Sequence, residues 1–193
     1  RHVPGLRDLA QCPRQVLGIR MGLLGGALLG LDVPQTDKRL VTFVELDGCG
    51  ADGIAVATGC WVGKRTLRVL DYGKMAATFV DTETGRAFRV IPHPTARDRA
   101  QAYAPDATSR WEGYLLGYQR MPEEELLLAQ PVELTWSLGK LMSKHGYRVV
   151  CEVCGEDIIN EREVVRDGHI LCQTCALGSY YQPLSHEAAL ALW

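Results

Sequence analysis

No stretch of this chain is long and apolar enough to cross a bilayer. The longest apolar run, Met21 to Leu31, is bounded by Arg20 and Asp32, and spanning needs about 20 residues. Strong net charge is also missing: the formal charge is −2 at pH 7, which leaves no global basic field to draw nucleic acid. The opening RHVPGLRDLAQ has no apolar h-region, so a cytoplasmic protein is expected. Internal repeats and low-complexity tracts are absent too. The seven cysteines are an odd number, and without an export signal they read as metal or redox ligands rather than a disulfide framework.

What is present is concentrated in two places. The first is Cys151-Glu-Val-Cys154, then seventeen residues, then Cys172-Gln-Thr-Cys175. Two Cys-x-x-Cys pairs at this spacing can each grip one tetrahedral ion, the pattern of a structural zinc site. Gly155 supplies the turn behind the first pair. Val164-Val165, Asp167-Gly168 and Ile170-Leu171 predict a hairpin, and Cys175 is expected to open a short helix, giving a treble-clef or ribbon-like finger. Four thiolates leave no open coordination position, so the ion is structural rather than catalytic. A thioredoxin-type redox pair would leave the second Cys-x-x-Cys unexplained. His169 reads as hairpin surface. The segment carries Arg162 and Arg166 but no lysine, against Glu152, Glu156, Asp157, Glu161, Glu163 and Asp167. That excess of acid argues against phosphate contacts and favours a protein partner, with the tail Ser185 to Trp193 as a docking segment.

The second concentration is Thr42 to Phe79. Leu40 to Leu46 reads as a strand, Asp47 to Gly50 as a tight loop and Ala51 to Ala57 as a short helix. Thr66 to Asp71 and Met75 to Val80 read as a hairpin around Tyr72-Gly73, followed by a turn at Asp81 to Gly85 and a strand from Arg86 to Ile91. Gly48-Cys-Gly-Ala-Asp-Gly53 satisfies G-x-G-x-x-G, but the following strand turns into a hairpin instead of a second crossover, which weakens a dinucleotide reading. Gly59 to Lys64 is one residue short of a P-loop and has Arg65 where a hydroxyl is needed. A cysteine-lined site remains, formed by Cys12, Cys49 and Cys60 with Asp47 and Lys64 tuning their charge. On residue types alone the alternative stands beside it, with glycines serving turns and cysteines serving as small hydrophobes.

Upstream, Pro13 predicts a helix start, and Val16, Leu17, Met21, Leu24 and Leu28 recur at helical spacing. Gly18, Gly22, Gly26 and Gly30 fall every fourth residue, which implies close approach to another backbone. Cys12 is placed at the helix N-terminus, where the dipole lowers a thiol's pKa. Downstream, Ser109 to Tyr118 and Glu123 to Gln130 have helical patterns, Pro131 to Trp136 reads as a last strand, and Gly139 to Tyr147 as a polar linker.

Three blocks in order, CPRQVLGIRMG (Cys12–Gly22), ELDGCGADGIAVATGCWVGK (Glu45–Lys64) and DYGKMAATFVDTETGRAFRV (Asp71–Val90), resemble the E-subunit family of formylmethanofuran dehydrogenase. The tail CEVCG…LCQTC resembles the treble-clef finger some members carry. The resemblance implies an α+β fold: a thioredoxin-like mixed sheet flanked by helices over residues 1–146 and a zinc finger over 147–193. It implies a homodimer and an accessory role beside one-carbon chemistry of the methanogenesis type, with a metal- or thiol-dependent enzyme acting on a C1-carrier or pterin-like substrate as one alternative. A regulatory interaction module is the other. Zinc is the implied cofactor, one ion in the finger. The family's core site uses a His-Gly-His-x-Cys-Pro-like segment. Here Cys12-Pro13 is present, but Asp8 and Ala10 stand where the histidines belong.

Overall fold

The computed structural model describes residues 12–137, 139 and 146–182. The chain divides into two compact units, Arg1–Leu138 and Gly139–Trp193. Asp8, Ala10, most of the expected linker and the tail Ser185 to Trp193 lie outside the described residues.

The first unit begins with helix α1, Pro13–Leu29, which has Pro13 in its first turn and Cys12 as an extended N-cap. It ends in a Schellman arrangement: Gly30, at φ +73°, donates to the Ala27 carbonyl and Leu31 donates to that of Gly26. Gly30 therefore terminates the helix instead of lying on its packing face. After strand β1, Leu40–Val44, comes helix α2, Cys49–Thr58, and then the short strand β2, Leu67–Val69. Strands β3, Ala77–Asp81, and β4, Ala87–Pro92, complete the central sheet. Helix α3, Ala96–Arg99, and a 3-10 turn, Ala100–Tyr103, lead to helix α4, Arg110–Arg120, capped by the Ser109 hydroxyl accepting from Glu112. Helix α5, Glu123–Leu126, passes directly into strand β5, Leu127–Val132.

The sheet order is β2-β1-β3-β4-β5, with β1 and β2 parallel and the other pairs antiparallel. This corrects the expected hairpin around Tyr72-Gly73: β2 and β3 do not pair, because β1 lies between them. The two runs are close in sequence, but each finds a partner on a different edge of β1. A β1-α2-β2 unit results, so the G-x-G-x-x-G segment does sit at a strand-to-helix turn.

A second correction concerns Glu123 to Gln130. Only its first four residues are helical, because Leu127 and Leu128 pair with Pro92 and Ile91 of β4. Pairing overrides a helical pattern when it satisfies the backbone of a neighbouring strand. Pro131, expected to start a strand, instead lies within β5. There it is tolerated because β5 is at the sheet edge.

Both β1 and β3 are buried along their whole length. Leu40, Thr42, Val44 and Phe79 share one face. That face receives α1, where a Cβ on Gly25 would come within 2.3 Å of the Phe79 ring. The other face carries Phe43, whose ring meets Trp136 edge-on at 6.0 Å. Helices α1 and α2 approach so closely that a Cβ on Gly18 would lie 2.1 Å from the Gly50 carbonyl oxygen, and one on Gly53 2.4 Å from that of Gln15. The glycines of the G-x-G-x-x-G segment that touch anything, Gly50 and Gly53, are thus spent on Met75 and α1.

The second unit holds two hairpins. Strands β6, Arg148–Val150, and β7, Asp157–Ile159, pair around the first cysteine turn, and β8, Val164–Arg166, pairs with β9, His169–Leu171. The β8–β9 turn has positive φ at both Asp167 (52°) and Gly168 (83°), the geometry that suits a two-residue hairpin. Helix α6, Gln173–Leu177, follows with Cys172 as its N-cap. Cys175 lies within that helix and does not open it. Among the described residues no helix is long and apolar enough to cross a membrane.

Candidate functional site

The finger cysteines converge. The sulfurs of Cys151, Cys154, Cys172 and Cys175 all lie within 4.8 Å of one another. Backbone N–H groups are aimed at two of them. The Cys172 amide donates to Cys151 Sγ at 3.2 Å, and the Cys175 amide donates to Cys172 Sγ at 3.3 Å. Backbone N–H groups of Cys154 and Cys172 lower the Cys151 thiol to about 6. At the other extreme the Cys175 thiol is pushed up to about 12, chiefly by its contact with Cys172 and then by burial. One sulfur ready to ionise beside another that resists is what crowded thiols show until a cation offsets their charge. The donor set thus fits a tetrahedral ion, with all four positions filled by protein.

The frame around the sulfurs is tied down by Glu152. One carboxylate oxygen accepts from the Ile170 amide at 2.8 Å, and the other pairs with His169 Nδ1 at 2.7 Å. The backbone adds Glu152 N–H to the Ile170 carbonyl at 2.9 Å. This clamps the first cysteine turn to β9 and so to the second pair. Gly155, at φ +74°, closes the turn by donating to the Cys151 carbonyl at 2.9 Å. His169 is a partner of this clamp and lies outside the cluster.

In the first unit the thiols separate into two kinds. Cys12, the N-cap of α1, stands beside Cys49, the first residue of α2, and its influence pushes the Cys49 thiol up. Cys60 is elsewhere, buried in the core. Its thiol donates to the Leu40 carbonyl and accepts from Thr42 Oγ1, each at 3.4 Å. Asp47 and Lys64 are exposed on the loops flanking α2, and neither makes an ion pair among the described residues. Among the described residues the finger cysteines are the group of three or more potential ligands gathered closely enough to share an ion.

A cleft of about 490 Å³ opens beside Cys12. Cys12, Arg14 and Leu17 of α1 contribute one side, Met75 and the Pro92-His93-Pro94 segment another, and Arg97, Trp111, Tyr114 and Tyr118 the rest. His93 Nδ1 accepts from the Thr95 amide at 3.2 Å and contacts Thr95 Oγ1 at 2.8 Å. The neutral ring therefore carries its proton on Nε2. Tyr114 Oη accepts from Arg97 Nε at 3.4 Å and from Arg110 Nε at 2.8 Å, and the two guanidiniums push its hydroxyl pKa down. The sequence hides these residues because His93 resembles punctuation between prolines. Trp111, Tyr114 and Tyr118 resemble an ordinary helix face. Their spacing of three and four was the available signal.

The family model described as FmdE, molybdenum formylmethanofuran dehydrogenase operon, matches residues 10–128. The chain belongs to the FmdE family. Among curated proteins this FmdE-family chain resembles a probable S-adenosyl-L-methionine-binding protein of Archaeoglobus fulgidus, at 29% identity over 196 aligned positions, covering 88% of this chain and 50% of that protein. The chain thus spans about half the length of that relative. Among solved structures it resembles a tungsten formylmethanofuran dehydrogenase FmdE-like protein from Syntrophus aciditrophicus, with a TM-score of 0.58 and 22% identity, covering 89% of this chain and 86% of that one. This likeness extends the FmdE-like fold across nearly all of the chain.

Proposed function

We propose that this chain is a zinc-binding accessory protein of one-carbon metabolism, with a core over residues 1–146 and a finger over 147–193. One structural zinc is held by Cys151, Cys154, Cys172 and Cys175, and the protein works as a cytoplasmic homodimer. The convergence of the four sulfurs, with backbone N–H groups aimed at two of them, carries the metal assignment. Zinc is favoured over other ions because four thiolates in a closed tetrahedral set suit a borderline-soft ion that needs no further ligand. The ion's contribution is to hold two short hairpins and a five-residue helix that share too little apolar surface to fold alone. Family membership supports the one-carbon setting. So does the name of the curated relative, since S-adenosyl-L-methionine carries a transferable methyl group. Elemental analysis of the purified chain is expected to return about one zinc per chain. The Cys151→Ala, Cys172→Ala double variant is expected to lose it; zinc retained in that variant sinks the assignment.

A second reading is favoured by one observation, the placement of Cys12 in the wall of the cleft with Cys49 as its electrostatic neighbour. In it the pair serves thiol-dependent chemistry on a C1-carrier or pterin-like substrate. Turnover abolished by Cys12→Ser with the finger zinc intact supports it, and turnover unchanged in that variant removes it.

A further inference from the structure

Arg39, Arg89, Arg99, Arg120 and Arg148 each pair with a carboxylate. Among the described residues, Arg14 and Arg97, which line the cleft, and Arg110, bonded to the cleft's Tyr114, form no ion pair with a carboxylate. No Asp or Glu is among the described residues that line it. Arg97 spends its Nε on Tyr114 and stands 5.4 Å from the centroid of that ring; among the described residues no hydrogen bond engages its remaining N–H groups. Arg110 approaches the same ring at 5.6 Å. The first turn of α1 also faces the cleft through Cys12, Pro13 and Arg14. Its N-cap side chain makes no capping hydrogen bond, so the positive end of a 17-residue helix adds to the field.

The wall beside this charge is aromatic. Trp111, Tyr114 and Tyr118 succeed one another on α4 at helical spacing, and the two tyrosines stack with centroids 5.9 Å apart and planes 18° apart. Trp111 is half exposed (52%) although it is large and apolar, so one of its faces has no packing partner among the described residues. A volume near 490 Å³ suits a single small molecule. Uncompensated guanidiniums select a carboxylate or phosphate, and a flat aromatic surface selects a ring.

We propose that this cleft binds a small planar anion, an aromatic or heteroaromatic ring bearing a phosphate or carboxylate. Arg14 and Arg97 grip the charged group, and Trp111, backed by the Tyr114–Tyr118 stack, covers the ring. His93 adds a donor through Nε2–H. The site does not require the finger zinc. It deepens the second reading above, because Cys12 lines the same cleft; binding that survives Cys12→Ser with turnover unchanged would keep the site while removing that reading.

Calorimetric titration of the full chain tests it, with adenosine 5′-monophosphate and folate as the two planar anions. Adenosine serves as the neutral ring and inorganic phosphate as the bare anion. At least one planar anion is expected to bind with Kd below about 1 mM. If adenosine 5′-monophosphate is the binder, it should exceed adenosine and phosphate by about tenfold or more. Raising salt from about 50 mM to about 500 mM should weaken the anion and leave adenosine unchanged. Arg97→Gln and Arg14→Gln should each weaken the anion about tenfold, while Arg148→Gln, in the other unit, should not. Neither planar anion binding below about 1 mM, adenosine matching adenosine 5′-monophosphate, or salt-independent binding by the wild-type chain would each overturn the proposal. The last does so without relying on any variant.

Discussion

Arg89 on β4 reaches across β3 to Glu45, at the end of β1, and grips it with two parallel hydrogen bonds of 2.6 and 2.8 Å. Glu45 is the more buried partner, with 11% of its side chain exposed against 26% for Arg89. Its backbone is equally occupied: its carbonyl accepts from Tyr72 and Lys74, and its amide donates to the Ala76 carbonyl. The ion pair therefore holds the strand end on which the loop carrying Met75 is hung. Removing Arg89 would strand a carboxylate under the sheet. Arg89→Ala is expected to destabilise the first unit by about 2 kcal/mol in urea unfolding, less than a fully buried pair because the guanidinium still meets water.

Asp81 gives a pH dependence with a definite sign. Arg39 donates to both its oxygens at 3.2 and 3.1 Å, and Glu83 N–H and the Thr84 hydroxyl donate as well, each at 3.0 Å. The Arg39 bonds come first among the causes that lower its carboxyl to about 2 from an ordinary 3.8. A depressed carboxylate pKa contributes stability above the unfolded value and loses it as pH falls through the folded one. Melting temperatures measured from pH 5 down to pH 2 should therefore drop more steeply for the native chain than for Asp81→Asn. The difference at neutral pH should be about 1–2 kcal/mol, after discount for the partly exposed Arg39.

At Gly18 the constraint is steric. An added methyl would fall 2.1 Å from the Gly50 carbonyl oxygen, and backbone cannot rotate aside. Alanine's better helix propensity returns about 1 kcal/mol, and overpacking removes up to about 3 kcal/mol. Gly18→Ala should lower stability by roughly 2 kcal/mol. Gly63→Ala, with no heavy atom within 4 Å of its built Cβ, should stay close to the native value in the same denaturation series.

Glu152 offers a test of the finger that leaves every sulfur in place. Its carboxylate joins the first cysteine turn to Ile170 and His169. Glu152→Ala should weaken zinc retention about 10- to 100-fold in a chelator competition. The same assay on His169→Ala should give a smaller loss, because the Ile170 amide remains bound.

The Cys12–Cys49 pair can be read by alkylation. With Cys12 beside it, Cys49 ionises above its ordinary range. Mass-resolved alkylation of Cys49 should therefore be slow near neutral pH, and Cys12→Ala should shift its pH–rate curve to lower pH. An unmoved curve would show that the two thiols do not share a proton equilibrium.

Local chemistry makes much of this protein legible in its sequence. The finger cysteines are readable because ligand spacing survives any fold around it, and Asp167-Gly168 announces its hairpin through turn chemistry. Strand β1 is readable from its β-branched and aromatic run. What escapes reading depends on distant partners. The parallel pairing of β1 with β2 needs α2 to carry the chain back. Leu127 and Leu128 look helical until β4 is beside them. The separation of Cys60 from Cys12 and Cys49 is decided by Leu40 and Thr42, whose contacts no spacing rule reports. The cleft draws on segments near residues 12, 93 and 114, so its charge and its aromatic wall never appear together in any sequence window.

Cys172 has two duties: its sulfur belongs to the four-thiol cluster, and it also caps α6 by accepting the amide of Cys175 in the first turn. A single atom thus links the ion to the start of the helix. Releasing that sulfur would uncap the helix, and loosening the helix would displace Cys175 from the cluster. With the proposed ion bound, its loss and the unfolding of this unit are expected as one event, with one midpoint for probes that follow either.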